Sequence, residues 1–261
     1  MIKISISVDD GSYDSFKNIY PLLKLYNLPA TFNLIPGYII SRKEFIGIPH
    51  KPITWDELDE LKNSQLIEIA NHSFDHTNEL GSLKRGRALL NHYLGRPIES
   101  PIGFASPESK MTEAFINTQK NALLQAGCAY VRTGLRIRTF KWLRILARKI
   151  ARLLHFSWLY SIAYHDTLLD SEDTYTLYSV PIMKDTTLKE VKKLIYHAIH
   201  QNKNLILLFH RVLKPEENNH KENWYWYYGK FEKLLQYLCI EQTKGYLKVV
   251  KTRDFQTGED G

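Results

Sequence analysis

Short apolar runs of strand type recur along this chain, and stretches with helical periodicity separate most of them. Seven such runs are present, at residues 2–8, 30–35, 66–71, 102–106, 129–133, 177–183 and 204–210. Strands that alternate with helices are typical of a mostly parallel sheet with crossover helices. The chain has no internal repeat, low-complexity tract or clear linker. We therefore predict an α/β fold in one domain, residues 1–261, with a basic insertion at about 135–165.

Three helices are predicted between these runs, at residues 15–27, 54–64 and 185–202. In the first, Phe16, Ile19 and Leu22 recur at helical spacing. In the second, Thr54 is followed three residues later by Glu57, which is the pattern of a capping box.

Composition restricts the class of protein. Apolar residues make up 44% of the chain, enough for a sizeable core, and no run of 18 uncharged apolar residues occurs. The N-terminal residues alternate between apolar and polar and do not resemble a secretory signal. Cys128 and Cys239 form no metal-binding or redox pair motif. We therefore expect a cytoplasmic protein with reduced thiols.

The positive charge of the chain is local. Residues 135–165 hold seven basic residues and no acidic one, which equals the whole formal net charge of +7. The rest of the surface is balanced, so we expect no nucleic-acid partner.

Polar residues gather where several predicted strands end. Asp9 and Asp10 end the first run, His72 and His76 follow the third, and His210 ends the seventh. Active sites of parallel α/β folds lie at the carboxyl ends of the strands. Read as a helical turn, the i and i+4 spacing of the two histidines turns both imidazoles towards one ion. A carboxylate from another strand would complete a three-ligand metal site with open positions, as catalytic sites have.

These motifs resemble those of a known family. The stretches "SVDDG" (7–11), "EIANHSFDH" (68–76) and "LILLFH" (205–210) look like those of the polysaccharide deacetylases, the NodB-homology family or carbohydrate esterase family 4. The segments 29–37 and 229–255 are similar to the family's second strand and to its last helix and strand. The resemblance implies a distorted, incomplete (β/α)7-type barrel of mostly parallel strands.

The resemblance also implies roles for single residues. Asp10, His72 and His76 would hold a divalent metal, usually zinc and sometimes another transition metal. Asp9 would be the general base and His210 the general acid that protonates the departing sugar amine. A backbone N–H near Pro107 and Glu108 would stabilise the oxyanion.

The chain departs from the family's pattern at three places. Ala105 stands where many members carry an arginine that orients the base, and Arg132 either supplies that charge or is a surface residue. Glu108 and Ser109 replace an aromatic residue and a glycine, which should change the wall that faces the substrate. Asp166 and Asp185 are the candidates for an acid that tunes the catalytic histidine.

The basic segment 138–164 is predicted to be an amphipathic helix. Its apolar stripe comprises Leu143, Leu146, Ala147, Ile150, Leu153 and Leu154, its basic stripe Lys141, Arg144, Arg148 and Arg152, and its aromatic borders Trp142, Phe156 and Trp158. Such a helix either lies on an anionic membrane surface or packs on the barrel with its basic face in solvent. The cluster "NWYWYYG" (223–229) offers a similar choice: Trp224 and Trp226 either stack on a sugar ring or anchor the last helix.

These observations together predict a metal-dependent hydrolase that removes an N-acetyl group from an amino sugar in a poly- or oligosaccharide, such as a lipid-linked glycan precursor. Two alternatives remain open from the sequence. The same site could act on a non-sugar amide, or the chain could be a non-catalytic glycan-binding member of the fold.

Overall fold

The computed structural model describes residues 1–41, 51–136, 141–171, 174–217 and 222–256. The strands are β1 (Ile2–Val8), β2 (Ala30–Leu34), β3 (Ile67–Asn71), β4 (Ile102–Ala105), β5 (Cys128–Thr133), β6 (Thr176–Tyr178), β7 (Val180–Pro181), β8 (Leu205–Phe209), β9 (Arg211–Leu213), β10 (Tyr225–Tyr227) and β11 (Leu247–Val250). The helices are α1 (Tyr13–Tyr26), α2 (Pro36–Ser41), α3 (Trp55–Lys62), α4 (Leu80–Tyr93), α5 (Glu113–Thr118), α6 (Lys120–Gln125), α7 (Lys141–Leu154), α8 (Ser157–Ala163), α9 (Leu188–His200) and α10 (Tyr228–Thr243).

The main sheet is a nearly closed barrel of parallel strands. Its order is β6-β5-β4-β3-β2-β1-β8-β7, with β11 also paired to β1. Only Ser179 separates β6, which pairs with β5, from β7, which pairs with β8. The predicted strand 177–183 is therefore two short strands that join opposite ends of the sheet. The prediction of an α/β, barrel-type fold is confirmed.

Two capping boxes fix helix starts close to where the sequence predicts them. The N–H of Glu57 donates to Thr54 Oγ1 at 3.1 Å, and the N–H of Thr54 donates to Glu57 Oε2 at 2.6 Å. Thr187 and Glu190 make the same reciprocal pair at the start of α9. These bonds satisfy backbone donors that a helix start leaves without partners.

The two faces of β1 are buried for different reasons. Ile2, Ile4, Ile6 and Val8 join the apolar core that the outer helices cover. The alternate residues are polar and equally buried: Ser5 shares a hydrogen bond with Thr252, and Ser7 accepts one from Asn33, at 2.9 and 2.8 Å. Because strand side chains alternate, a barrel with an apolar outer layer and a polar interior produces the pattern of "IKISISV".

A carboxylate lies inside this polar interior. Glu68 on β3 accepts hydrogen bonds from Thr31 Oγ1 at 2.7 Å, from the Tyr130 hydroxyl at 3.0 Å and from the N–H of Arg253 at 3.0 Å. Gly103 on β4 makes room for this layer, because a Cβ there would stand 2.3 Å from the Tyr130 ring.

The basic segment differs from its prediction as one helix. It forms α7 and α8, and His155 between them has the left-handed φ of 51°. Arg138, at its predicted start, lies outside the described residues. Leu143, Leu146, Leu153 and Leu154 of the predicted apolar stripe are exposed, whereas Arg144 faces the body of the protein and pairs with Asp166 at 3.2 Å. The helix thus packs on the body of the protein through Ala151 and the half-buried Arg144, while part of its predicted apolar stripe is turned outward. Among the helices of the described ranges, none is long and apolar enough to cross a bilayer.

Candidate metal centre

The first pair of acids lies where β1 leaves the sheet. The N–H of Asp9 still donates to the carbonyl of Phe209 on β8, at 2.9 Å, so Asp9 is held in strand register. Asp10 and Gly11 then both adopt positive φ, 72° and 69°. Strict strand alternation would send adjacent side chains to opposite faces. The left-handed turn instead lets both carboxylates face His72, whose Nε2 is 3.8 Å from Asp9 Oδ2 and 3.4 Å from Asp10 Oδ1.

The two histidines follow β3, but not on a helical turn as predicted. Residues 72–79 form a bend in which Ser73 and His76 have φ values of 64° and 63°. The Ser73 hydroxyl accepts the N–H of Thr77 at 2.9 Å, which stabilises the bend. The two imidazole rings lie 4.9 Å apart between centroids. The two rings therefore do meet, as predicted, but a bend with two left-handed residues brings them together and not a helical turn.

Asp10, His72 and His76 form a three-ligand cluster whose ligand atoms all lie within 4.8 Å of one another. Ligand atoms about 2.0–2.1 Å from a tetrahedral zinc ion lie about 3.3 Å apart. Asp10 Oδ1 is 3.4 Å from His72 Nε2 and 3.7 Å from His76 Nε2, so the atoms fit a metal of this size with small movements. The 2.8 Å contact of His72 Nδ1 with the Ala105 carbonyl places the ring proton on Nδ1, which leaves the Nε2 lone pair for a metal.

The electrostatics of the cluster favour a positive charge between its members. Burial opposes ionisation of Asp10, but hydrogen bonding to His72 and the charges of the nearby histidines outweigh it and hold the pKa of Asp10 below its usual range. Burial also lowers the pKa of His72, but Asp9 and Asp10 raise it above its ordinary value. Burial and His72 lower the pKa of His76, so His76 is neutral, as a metal ligand must be.

Asp9 has its own set of partners. Its Oδ1 accepts hydrogen bonds from Asn33 Nδ2 at 2.8 Å and from the guanidinium of Arg132. Burial would raise the pKa of Asp9, yet Arg132, His72 and His210 together lower it, so the carboxylate is ionised at neutral pH. Asp9 is therefore a charged, buried group beside the three candidate metal ligands and is not one of them.

Arg132 lies inside the barrel and is not a surface residue. Its side chain is fully buried, and on β5 it stands in register with Ala105 of β4. Position 105 on β4 is alanine, and the guanidinium that contacts Asp9 comes instead from Arg132 on the neighbouring strand β5. Within the described residues, Nε and Nη1 of Arg132 have no hydrogen-bond partner.

His210 follows β8 on the other side of the two acids. It is close enough to Asp9 and Asp10 that its charge lowers the pKa of both. Within the described part of the chain its Nδ1 has no hydrogen-bond partner, so neither Asp166 nor Asp185 binds that atom. Asp166 pairs with Arg144 instead.

Of the two tryptophans that were candidates for contact with the substrate, one is exposed and the other is buried. Trp224 is 46% exposed, and its ring lies 4.8 Å from that of His210. Trp226 is fully buried, and its Nε1 donates to the Thr186 carbonyl at 2.8 Å. A substrate role for Trp226 is therefore wrong, and its function is to anchor the start of α10.

The turn after β4 lies close enough to the cluster for the charge of Glu108 to act on His76. Glu108 and Ser109 have φ values of 51° and 54°, and the carbonyl of Pro107 accepts from Asn78 Nδ2 at 3.1 Å. Pro107 has no N–H, and the N–H groups of Ser109 and Lys110 donate to the carbonyls of Ser106 and Pro107. The candidate oxyanion donor in this turn is therefore the N–H of Glu108.

A family model described as polysaccharide deacetylase matches residues 2–127, the part that carries both aspartates and both histidines of the centre. The match covers 126 of the 261 residues, just under half of the chain. Arg132 and His210 lie beyond the matched residues. Sequence reasoning missed Asn33, although its place in "ATFNL", two residues after the inward-facing Thr31, is the signal that could have found it.

Solved structures that are similar to this chain include a peptidoglycan deacetylase and an acetyl xylan esterase. The Bc1960 peptidoglycan N-acetylglucosamine deacetylase is 15% identical over 99% of this chain and 90% of its own, with a TM-score of 0.50, and therefore shares the fold. An acetyl xylan esterase from Clostridium thermocellum, solved with a cobalt ion, is 15% identical over 97% of this chain and 89% of its own, with a TM-score of 0.47.

One further neighbour aligns over only part of its length. The BpsB deacetylase domain from Bordetella bronchiseptica is 18% identical over 49% of this chain, with a TM-score of 0.40, and the alignment spans 62% of that domain. A comparison with curated proteins gives no significant match.

Proposed function

We propose that this chain is a polysaccharide deacetylase, which hydrolyses the N-acetyl group of an amino sugar in a poly- or oligosaccharide. The reaction would release acetate and leave a free amine on the sugar. The observation that carries the proposal is the Asp10–His72–His76 cluster with the ionised, buried Asp9 beside it. The family supports the substrate class, and the geometry supports hydrolysis of an amide, a bond that needs both a base and an acid.

Asp10, His72 and His76 would hold a divalent metal, with zinc the first choice because two imidazoles and one carboxylate suit it; other transition metals accept the same donors. When bound, the metal supplies Lewis acidity, which polarises the acetyl carbonyl and lowers the pKa of water. The chain contributes the ligand geometry. The Ala105 carbonyl fixes the tautomer of His72, and the turn at Asp10 places the carboxylate between the two rings.

Asp9 would act as the general base. It takes a proton from the water whose oxygen attacks the acetyl carbon, and Arg132 and Asn33 keep its carboxylate oriented and ionised until then. Its Oδ2, which faces His72, is the atom that points to the metal ligands.

His210 would act as the general acid. As the carbon–nitrogen bond breaks, a proton passes from the imidazole to the departing nitrogen, because an amide nitrogen leaves poorly without one. The proton that Asp9 accepted balances the proton that His210 gave. The N–H of Glu108 would donate to the carbonyl oxygen as negative charge develops there.

Trp224 would supply an apolar wall for the sugar. Its exposed ring stands beside His210, where the leaving amine must lie, and the C–H faces of sugar rings suit aromatic surfaces.

The proposal extends to a lipid-linked glycan precursor, handled at the cytoplasmic face of a membrane. The support for this part is the basic segment around α7, whose sequence lacks any acid between residues 135 and 165.

The decisive experiment separates Asp9 from Asp10. Purified protein loaded with zinc, cobalt or nickel is assayed for acetate release from oligomers of N-acetylglucosamine, and bound metal is measured by elemental analysis. We expect Asp9→Asn to lose about 10²–10⁴-fold in rate, as removal of a general base does, and to keep its metal. We expect Asp10→Asn to lose both, because it removes a ligand.

The matched control is Asp56→Asn, an exposed aspartate on α3, which should keep rate and metal content. Acetate release that survives Asp9→Asn would overturn the assignment of the base. A metal-loaded wild type that cleaves only non-sugar amides would overturn the substrate class, and one that cleaves nothing would favour a glycan-binding role.

A further inference from the structure

We propose that the outer face of α7, together with the start of α8, docks on an anionic membrane surface. The inference concerns a surface away from the metal centre and does not depend on deacetylation.

The apolar residues of this surface are turned outward. Trp142 is 67% exposed and Leu153 is 78% exposed. The rest of the surface consists of Leu143, Leu146, Leu154, Phe156, Trp158 and Ile162, all of them exposed. A helix of a globular protein ordinarily buries such a stripe, and exposed apolar side chains that lie together mark a binding surface.

Polar contacts hold the helix in this orientation. On the inner side, Arg144 donates to the carbonyl of Ile162 and pairs with Asp166. Ala151 on the same side is fully buried, as is Tyr160 of α8. The rotation of α7 about its axis is thus fixed by small or paired residues, and the leucines are left outside.

The charge of the segment identifies the partner. Lys149 is exposed on the outward side between Leu146 and Leu153, and the sequence from 135 to 165 has no acidic residue. Arg136 and Arg144 of this segment instead face inward and pair with Glu113 and Asp166. Basic residues beside leucines and tryptophans are the composition of helices that lie in the headgroup region of anionic bilayers. Trp142 and Trp158 suit that region because indole is apolar with one polar N–H.

A second copy of the chain fits this surface poorly. A two-fold symmetric dimer would set the same patch against itself, and the exposed Lys149 would then approach its own copy with no acidic residue of α7 between them. The like charges oppose that contact, whereas anionic lipid neutralises them.

The test uses the full chain and two types of vesicle. Co-sedimentation is measured with vesicles of phosphatidylglycerol and phosphatidylcholine in equal parts and with phosphatidylcholine alone. We expect binding to the anionic vesicles that weakens at ~0.5 M NaCl, where screening shortens electrostatic attraction to a few ångströms. We expect the double variant Leu146→Glu, Leu153→Glu to bind at least about tenfold more weakly.

The matched control is Leu25→Glu, Ile240→Glu, which makes the same substitutions at exposed positions of α1 and α10 and should bind as wild type does. Equal loss in both double variants, or no binding by wild type, would overturn the inference. So would a wild-type dimer in light scattering that the α7 variant dissociates, because the occupant would then be a second copy. Acetate release from a soluble oligosaccharide should not change in the α7 variant, so failure of the docking surface and failure of the proposed chemistry are told apart.

Discussion

Asp9 keeps a negative charge at 2% exposure because its neighbours compensate for the lost water. Arg132 provides the opposite charge, and Asn33 provides a neutral donor to the same oxygen. The pair is costly to break, since removal of one partner leaves a buried charge without compensation. Asp9, the proposed general base, therefore also affects the stability of the folded chain through its contacts with Arg132 and Asn33.

A prediction at this scale concerns the Asp9–Arg132 pair. Arg132→Met should lower the free energy of unfolding by about 3–5 kcal/mol, because it leaves the Asp9 carboxylate buried and unpaired. The double variant Arg132→Met, Asp9→Asn should lose less than the sum of the two single variants, since neither charge then remains. Urea denaturation of the four proteins measures the coupling.

The control for this cycle is the exposed pair of Lys203 and Asp170, 3.2 Å apart. Its coupling should be about 0–1 kcal/mol, as is usual for ion pairs in solvent. If the losses in free energy of unfolding of the two single variants add up to that of the double variant, Asp9 and Arg132 are not coupled and the prediction is wrong.

Single residues of the centre differ in how far the sequence could predict them. His72 and His76 are four residues apart, and Asp10 follows another parallel strand that ends at the same edge, so strand ends and motifs were sufficient to predict the cluster. The role of Arg132 could not be assigned from the sequence. Its contact with Asp9 depends on the register between β4 and β5, whose paired residues are 26 or more positions apart in the chain. The helical turn expected for the histidines was wrong because left-handed φ at Ser73 and His76 leaves no clear mark in sequence.

At the scale of elements, the inner faces of β1, β2, β3 and β5 share a polar layer below the metal centre. Glu68 is its charged member, and its three hydrogen-bond donors do not include a cationic side chain. Burial raises the pKa of Glu68, and the hydrogen bonds only partly oppose that effect. This layer therefore makes the barrel sensitive to pH.

The second prediction follows from the sign of that shift. Below the ordinary pKa of glutamate, 4.5, both the folded and the unfolded chain hold the proton and Glu68 has no effect on stability. As the pH rises, the unfolded chain ionises first, so Glu68 lowers the stability until the pH passes its raised folded pKa. Glu68→Gln removes this loss. Its free energy of unfolding should therefore rise relative to wild type as the pH increases above 4.5, the ordinary pKa of glutamate.

Glutamine at position 68 can keep the present contacts, because its oxygen can accept from Thr31 and the Arg253 N–H while its amide donates to the Tyr130 hydroxyl. The control is Glu60→Gln, the same substitution at an exposed position of α3, which should give a smaller slope with pH. A difference between Glu68→Gln and wild type that does not vary with pH would show that Glu68 keeps its ordinary titration.

The elements themselves were predictable where one local signal decides them. The alternation in "IKISISV", the capping box at Thr54 and the helical pattern of residues 185–202 locate β1, α3 and α9 to within a few residues. The division of 177–183 into β6 and β7 was not predictable, because it arises when one extended segment meets both edges of a closing sheet. The sequence left open which way the apolar stripe of α7 turns, because the contact of Arg144 with Asp166 that holds the helix joins residues 22 positions apart.

At the scale of the whole molecule, barrel closure determines which charges meet. The parallel strands end at one edge, so β1, β3 and β8 deliver two aspartates and three histidines from distant parts of the chain to one place. Bringing two carboxylates together in a buried site is unfavourable unless positive charge accompanies them. Arg132 compensates Asp9, and a bound cation would compensate Asp10.

The last prediction is that metal stabilises the folded chain as a whole. A ligand that binds only the folded state at a hundred times its Kd adds about 2.7 kcal/mol of stability. For a chain of this size each kcal/mol raises Tm by about 2–4 °C, so saturating zinc should raise the Tm of the chelator-treated protein by several degrees. Asp10→Asn should abolish the shift, because its carboxylate oxygen lies between His72 and His76. Asp56→Asn should keep it, and magnesium, which prefers oxygen ligands, should give a smaller shift. Scanning calorimetry with and without a chelator measures each case. If zinc raises the Tm of Asp10→Asn and of wild type equally, the stabilising metal binds elsewhere, because two histidines without the Asp10 carboxylate cannot hold the ion as tightly.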